Sequence, residues 1–448
     1  MRLRDLLAEG LRSGNAEARL HGPGGGYRFA DLLSGQVLPG PPAIYAGKSV
    51  LLLTHDQAAA AAALVALDGV ARRMVLCPPD FKRDHLDAVL ATAEIDLIVA
   101  DGPETVPVHR MQVLTPSRIW CDVAAVCDTE WVLFTSGTTG VPKMVVHTLD
   151  GLTGAIRNGA APAAPVWATF YDIRRYGGLQ ILLRALLGGA TLGVSGADEA
   201  IEEYLARLAV MGVTHLTGTP SHWRHALMSP RVSALPLSYV RLSGEIADQA
   251  ILDRLQAAFP KARVGHAYAS TEAGVGFEVT DGLEGFPAGY LDRDGPVAMK
   301  LVDGVLHVRS ERTAARYLGD DAPVLVESDG YVDSDDMIEL RDARCLFLGR
   351  KAGLINVGGL KIHPEEVEAV INRHPDVDLS RVYARKNPVT GALVAAEVVL
   401  KNPLRPELKQ EIIAACRDYL GVAKTPVSMT FVASLPMTAG GKLERKRA

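Results

Sequence analysis

Short apolar runs recur along the chain, separated by amphipathic or alanine-rich stretches. Residues 49–54 (S-V-L-L-L-T) read as a strand, 57–67 as an alanine-rich helix and 73–76 as a second strand. A helix over 81–93 and a strand over 95–100 complete a β-α-β-α-β alternation, the pattern of a largely parallel α/β sheet. The rhythm resumes after Thr148. A helix over 178–187 leads to a strand at 190–194, and one over 201–211 to a strand at 214–216. A strand at 239–242 then precedes a helix at 248–259. From 287 to 309 the pattern becomes short alternating strands with glycine turns (297–302, 305–308), which predicts a small β subdomain. After one more strand at 345–347 comes a compact α+β unit: helix 364–373, strands 381–384 and 394–400, helix 406–419. The fold class expected is α/β. A large N-terminal domain (1–349) of parallel-rich α/β subdomains plus a small β subdomain precedes a small mobile α+β C-terminal domain (350–448). The boundary falls at 349–353, where Ala352-Gly353 would permit backbone rotation; a plain surface turn is the alternative.

Length and composition agree with this division. A chain of 448 residues suggests two or three domains, and 48% hydrophobic with 22% charged residues supplies a large core and excludes global disorder. The 43 glycines and 26 prolines follow no period, so a repeat or collagen-like architecture is not expected. A net charge of −5 gives no general affinity for nucleic acid. No apolar run approaches a bilayer span, and residues 1–14 read as a charged amphipathic helix without a signal-peptide core. The cysteines (77, 121, 127, 345, 416) are odd in number and lack a C-x-x-C, so disulfides and structural zinc are not expected and a cytoplasmic location is. Charge is uneven. Residues 350–448 hold 16 Lys+Arg against 10 Asp+Glu, a net of +6, which leaves −11 on residues 1–349. Separate domains with different partners, or an ordinary solvated surface, would both give that split.

Candidate chemistry concentrates in residues 131–148, W-V-L-F-T-S-G-T-T-G-V-P-K-M-V-V-H-T. An apolar strand runs into small hydroxylated residues and glycines, then a lysine. Gly137 and Gly140 permit close backbone approach to a bulky anion. Thr135, Ser136, Thr138 and Thr139 can donate to phosphate oxygens, and Lys143 supplies charge. It is not a Walker A loop. This segment resembles the phosphate loop of the AMP-forming adenylating superfamily, which includes acyl-CoA synthetases, amino-acid adenylation domains and luciferases. Further motifs follow in that family's order, so the resemblance covers nearly the whole chain.

Tyr268-Ala269-Ser270-Thr271-Glu272 is similar to the family's aromatic-Gly-x-Thr-Glu motif, with Ala269 in place of Gly. The resemblance implies Tyr268 against adenine, Thr271 at the α-phosphate and Glu272 on Mg²⁺, a carboxylate suiting a hard cation with phosphate co-ligands. It also places Gly244 and Glu245 with the nucleotide. The segment 330–336 resembles aromatic-x-x-Thr-Gly-Asp, with Ser334-Asp335 where the family has Thr-Gly and Asp336 on the ribose hydroxyls. Read without the family, that acidic cluster is equally a solvated turn. Arg350 would meet ribose or phosphate at the domain junction, Ala352 stands at the hinge, and Gly358 and Gly359 would line a pantetheine passage. Residues 435–445, L-P-M-T-A-G-G-K-L-E-R, resemble the catalytic-lysine loop, with Lys442 entering a closed site to neutralise charge on the reacting oxygens.

The activity so implied is two-step. A carboxylate attacks the ATP α-phosphate, giving an acyl-adenylate and pyrophosphate. A thiol then displaces AMP after the C-terminal domain turns. The implied cofactors are ATP, Mg²⁺ and coenzyme A or a phosphopantetheinyl carrier protein; the implied partners are a small carboxylic acid and an acidic carrier, with neither nucleic acid nor membrane. A monomer or a homodimer is open. The acid pocket is placed around Asp172, Arg174, Tyr176 and Gly177. Arg174 and Arg175 could pair with a second carboxylate or with an oxygenated acid, whereas Asp172 resembles the aspartate that takes the amino group in amino-acid adenylation domains. At least one arginine is expected in an ordinary salt bridge. Trp223 and His222 are weaker pocket candidates, read first as core and helix surface. Transfer to a carrier protein and a standalone amino-acid ligase are the alternatives. A non-catalytic relative is disfavoured by the joint presence of Lys143, Glu272, Asp336 and Lys442, and a dehydrogenase by the absence of a G-x-G-x-x-G between strand and helix.

Overall fold

A computed structural model describes residues 1–34, 38, 40–101, 111–113, 127–135, 142–157, 164–293, 295–388, 390–403, 405–438 and 440–444. Two parallel-rich sheets form the body. One has seven strands, in spatial order Arg316–Tyr317, Met144–His147, Glu130–Phe134, Arg73–Leu76, Ser49–Leu53, Leu97–Ala100 and Met111–Val113. The five strands from Glu130–Phe134 to Met111–Val113 pair in parallel, as the β-α-β reading requires. The other has eight strands and runs from Gly274–Val279 through Arg263–Ser270, Tyr239–Ser243, His215–Gly218, Trp167–Thr169 and Leu192–Val194 to the hairpin Arg19–Gly22/Gly25–Arg28. That N-terminal hairpin escaped the sequence reading because its strands are four residues each and mostly polar.

Helix Gln57–Leu67 is alanine-rich for a packing reason: every residue in it is buried. Asp56 caps it by accepting from Ala58 N. Helix Leu3–Ser13 presses Leu3, Leu7, Gly10 and Leu11 inward, and Asp68 ties it down by accepting from Leu3 N (2.6 Å) and Trp131 Nε1 (2.9 Å). The helix expected over 81–93 is shorter. It begins as a 3₁₀ turn at Arg83–His85 and is α-helical only over Leu86–Thr92. Lys82, Arg83, Asp84 and His85 offer no apolar side to bury.

A five-stranded antiparallel sheet follows, in order Phe286–Pro287, Arg344–Arg350, Val332–Arg341, Val305–Ser310 and Val297–Val302. Its last strand in sequence ends at Arg350. After the turn Lys351–Gly353, the strands Ile355–Val357, Leu360–Ile362, Val377–Asn387, Gly391–Leu400 and Ser428–Phe431 form a separate sheet packed by helices Pro364–Asn372 and Leu408–Leu420 around its own apolar core. Among the described residues no helix is long and apolar enough to cross a membrane. Cys77, Cys127, Cys345 and Cys416 are free thiols; Cys121 lies outside the described residues.

Candidate active site

Strands Glu130–Phe134 and Met144–His147 are antiparallel neighbours, so the hydroxyl-rich loop between them is the connection of a hairpin. Thr135 N donates to Lys143 O (3.0 Å), closing its base. Ser136, Gly137, Thr138, Thr139 and Gly140 lie outside the described residues. Lys143 is exposed and holds its ammonium 4.8 Å over the Tyr317 ring. Tyr317 in turn donates to Glu272 Oε1 (3.3 Å), so Lys143 and Glu272 share one tyrosine. Sequence reading missed Tyr317, which sits on a two-residue strand with no motif around it. Thr271 is fixed through its carbonyl, which takes a hydrogen bond from His147 Nε2 (2.8 Å); burial pushes that imidazole's pKa down to about 4, so it stays neutral.

The segment 330–336 is not a solvated turn. Asp336 lies in strand Val332–Arg341, directly across from Arg350. Its carboxylate accepts from the Tyr268 hydroxyl (3.0 Å) and faces Arg350 Nε (3.5 Å). Burial raises the Asp336 pKa against the lowering effect of Arg350. Ser334 Oγ accepts from Asp336 N (3.1 Å) and donates to Leu306 O (2.6 Å), which anchors the strand beside the carboxylate. Asp335 has φ +62°, a left-handed conformation that a short polar residue tolerates and that glycine adopts freely. The Tyr268 ring lies parallel to Phe277 and Phe347, centroids 5.6 Å away in both cases.

Lys442 reaches this group from the C-terminal unit. Its loop closes on itself through Thr438 N to Lys442 O (2.8 Å) and Gly441 N to Thr438 O (2.8 Å). It then docks on the body. Thr219 Oγ1 donates to Gly441 O, and Leu443 N donates to Glu245 Oε1 (2.9 Å). The other Glu245 oxygen accepts from Ser221 N (3.0 Å) in the first turn of helix Pro220–Met228. Glu245 is therefore spent on anchoring the lysine loop, while the neighbouring Gly244 (φ +86°) leaves room for the lysine stem; a Cβ there would lie 3.5 Å from Lys442 Cε. Burial, then Arg350, pulls the Lys442 pKa down, with Arg175 adding to the fall and Glu245 and Asp336 opposing it.

His222 does not face solvent. Its imidazole stacks on Phe170 (5.3 Å, 15°), bonds Thr219, and packs against the Gly441 backbone; burial takes its pKa down to about 3. Helix phase concealed this, because the surface that covers His222 comes from a loop over 200 residues later. Trp223 is fully buried, as expected. A salt-bridge lattice that no motif announces holds the C-terminal unit here. Arg224 pairs with Asp248 (2.6 Å), Asn372 donates to Asp248 (3.1 Å), and Arg254 pairs with Asp378 (2.8 Å). The Gly358–Gly359 turn (φ +57° and +94°) stays exposed, its amides bonded to Thr390 O and Asn356 Oδ1, and is not brought to Lys442.

Beside these groups is a narrow cavity lined by Tyr171, Tyr176, Gly177, Gln180, Ile181 and Thr217, with Arg241, Ser243, Ala269 and Val275 opposite. Of the residues expected around the acid, Tyr176 and Gly177 line this cavity and Asp172 and Arg174 do not. The latter two pair with one another (2.5 and 2.7 Å), and Arg174, with 1% of its side chain exposed, also donates to Thr54 O. Two adjacent opposite charges two residues apart satisfy each other locally, which leaves neither for a ligand. Arg175 pairs with Asp80 and flanks Gly440 of the lysine loop.

A family model described as "AMP-binding enzyme" matches residues 43–305, and one described as "AMP-binding enzyme C-terminal domain" matches 366–442. The chain belongs to the AMP-binding enzyme family, within the AMP-forming adenylating superfamily. A 2-succinylbenzoate–CoA ligase of Bacillus velezensis is 25% identical over 86% of this chain and 79% of its own length. A D-alanine–D-alanyl carrier protein ligase of Bacillus licheniformis is 28% identical over 81% of this chain and 77% of its own. An anthranilate CoA ligase solved with anthranoyl-AMP shares the fold, with a TM-score of 0.81 at 18% identity over 99% of this chain and 95% of that one.

Proposed function

We propose that the protein activates a small carboxylic acid with ATP, forming an acyl-adenylate and releasing pyrophosphate, and then passes the acyl group to the thiol of coenzyme A. The observation that carries this reading is the meeting of Lys442 with Asp336 and Arg350: a mobile-loop cation set beside a buried carboxylate that can accept from vicinal ribose hydroxyls. The nucleophile is already anionic, so the step needs positioning and charge neutralisation rather than a general base. Lys442 neutralises charge growing on the carboxylate and α-phosphate oxygens, and Arg350 and Lys143 share the phosphate charge. Glu272 would hold Mg²⁺ with phosphate co-ligands, because only one of its oxygens has a partner among the described residues; a cation with one carboxylate and phosphate oxygens is a normal magnesium arrangement and offsets phosphate charge.

In this reading residues 1–349 and 350–448 are the two working parts. The arrangement with Lys442 docked serves adenylation. Rotation about the turn at Ala352 would withdraw it and bring in the exposed Gly358–Gly359 turn as the pantetheine passage. The +6 of residues 350–448 suits an anionic thiol carrier. The second reading is transfer to a phosphopantetheinyl carrier protein, favoured by the similarity to a carrier-protein ligase. A cytoplasmic enzyme with free thiols fits either.

Lys442→Ala tests the role. Adenylate formation, read by acid-dependent pyrophosphate exchange, is expected to fall by about 100-fold or more, as for loss of a preorganised charge at the reacting centre. Thioester formation from supplied acyl-adenylate should be largely retained. Equal loss of both half-reactions would sink that role. AMP release with coenzyme A, with a loaded carrier protein and with neither decides the acceptor.

A further inference from the structure

The acyl cavity contains a cation with no ion-pair partner among the described residues. Strand Tyr239–Ser243 alternates: Val240 and Leu242 point into the apolar core around Trp223, while Tyr239, Arg241 and Ser243 point the other way, toward helix Tyr176–Leu187. Arg241 thereby enters the cavity opposite Tyr176, Gln180 and Ile181. No carboxylate lines that cavity, and among the described residues the Arg241 guanidinium makes neither an ion pair nor a side-chain hydrogen bond. Glu278, an acidic group on the sheet edge, is already taken by Tyr239 (2.5 Å) and Arg263 (3.3 Å). The surroundings add positive charge rather than cancel it. Arg184 lies over the Trp167 ring at 5.8 Å, and its pKa is pulled down by burial and then by Arg241, with Tyr239 and Glu278 opposing the fall.

A second group in the same wall is equally incomplete. Gln180 is buried at 7% exposure; its Nε2 donates to Leu152 O (2.8 Å), but its Oε1 has no partner among the described residues. Other polar groups of the lining are satisfied within the protein: the Tyr171 hydroxyl donates to Ser243 O (2.7 Å) and Thr217 Oγ1 to Thr169 Oγ1 (3.0 Å). A half-buried guanidinium and a buried amide oxygen left open in one apolar cleft are unfavourable until something polar occupies it. A plain fatty or unsubstituted aromatic acyl group would cover both without satisfying either.

We infer that the acid activated here carries a second anionic group, a carboxylate or comparable oxyanion, on a compact acyl chain, that Arg241 is its specificity-determining partner, and that Gln180 Oε1 accepts a hydrogen bond from a hydroxyl or amino group on the same chain. This rests on the adenylation reading above. Arg241 offers a planar fork that matches a carboxylate. Ala269 and Tyr176 line the same narrow cavity, which suits a compact acyl chain.

The test is acid-dependent pyrophosphate exchange by the full chain over matched pairs, succinate with butyrate and phthalate with benzoate, within a wider panel of fatty, aromatic, hydroxy and amino acids. The diacid of at least one pair should exceed its neutral partner about 10- to 100-fold in kcat/KM, the range for a charge-assisted contact. Arg241→Leu should abolish that preference, mainly through KM, and leave neutral acids within a few-fold; Arg241→Lys should restore part of it. Gln180→Leu should erase any advantage of a hydroxylated acid over its parent. Best exchange with neutral acids, or an equal loss on both members of a pair in Arg241→Leu, would overturn the inference and leave adenylation standing. Exchange with no acid at all would overturn the adenylation reading and the inference with it.

Discussion

Gly441 is the tightest point of the docked lysine loop, and Gly441→Ala isolates what docking contributes. The residue has φ +68°, and a Cβ built on it would lie 1.6 to 2.5 Å from three atoms of the His222 ring. The left-handed conformation alone costs a non-glycine residue roughly 1–2 kcal/mol. The overlap must then be relieved by moving the imidazole, which is held by Thr219 and stacked on Phe170. Losing that hydrogen bond and that stack costs about 1 kcal/mol each. A total of about 3 kcal/mol corresponds to roughly 100-fold fewer molecules with Lys442 in place. Gly440→Ala is the matched control, since a Cβ there meets only the Arg175 guanidinium at 3.4 Å, an ordinary contact with the end of a flexible side chain. Pyrophosphate exchange should fall about 100-fold in Gly441→Ala and stay within a few-fold in Gly440→Ala. Thioester formation from supplied acyl-adenylate should be unchanged in both. Exchange within fivefold of the parent in Gly441→Ala would refute the claim that this close fit sets Lys442.

Two further outcomes are expected. Ala352→Pro should slow thioester formation more than adenylate formation, because fixing φ at an exposed turn between two sheets restricts rotation without touching Lys442; unchanged thioester kinetics would argue against a hinge there. Stability should fall with acid below about pH 6.5. His147 and His222 are held neutral by burial, down to about 4 and about 3, while the unfolded chain protonates both near 6.5. The unfolded state therefore binds more protons between those limits, and stability rises with pH through that window, by at most about 1.4 kcal/mol per pH unit per histidine. The raised pKa of buried Asp336 acts in the opposite sense. Denaturant midpoints from pH 7 to 5 should show the fall, and His147→Gln should flatten it; an unaltered slope in that variant would remove His147 from the account.

What could be read in advance was whatever depends on neighbours in sequence. The alternation of apolar strands and helices marked both parallel sheets, because burial of a strand on a parallel sheet leaves a local trace. Gly441 of the lysine loop was legible for the same reason: it answers to a backbone conformation at its own position. Pairing across the fold left no such trace. Arg174 and Arg241 are both arginines beside aromatic residues, and one is silenced by Asp172 while the other stays open. Period-two alternation places Arg241 on the face of its strand opposite Val240 and Leu242, which was a usable signal. Only the packed structure shows that Glu278, which could have neutralised it, is committed to Tyr239 and Arg263. An ion pair is decided by which of many carboxylates arrives within a few ångströms, and no local pattern in the sequence records that outcome. That is why the motifs could be read from neighbouring residues, while the pairing of Arg174 with Asp172 and the open position of Arg241 could not.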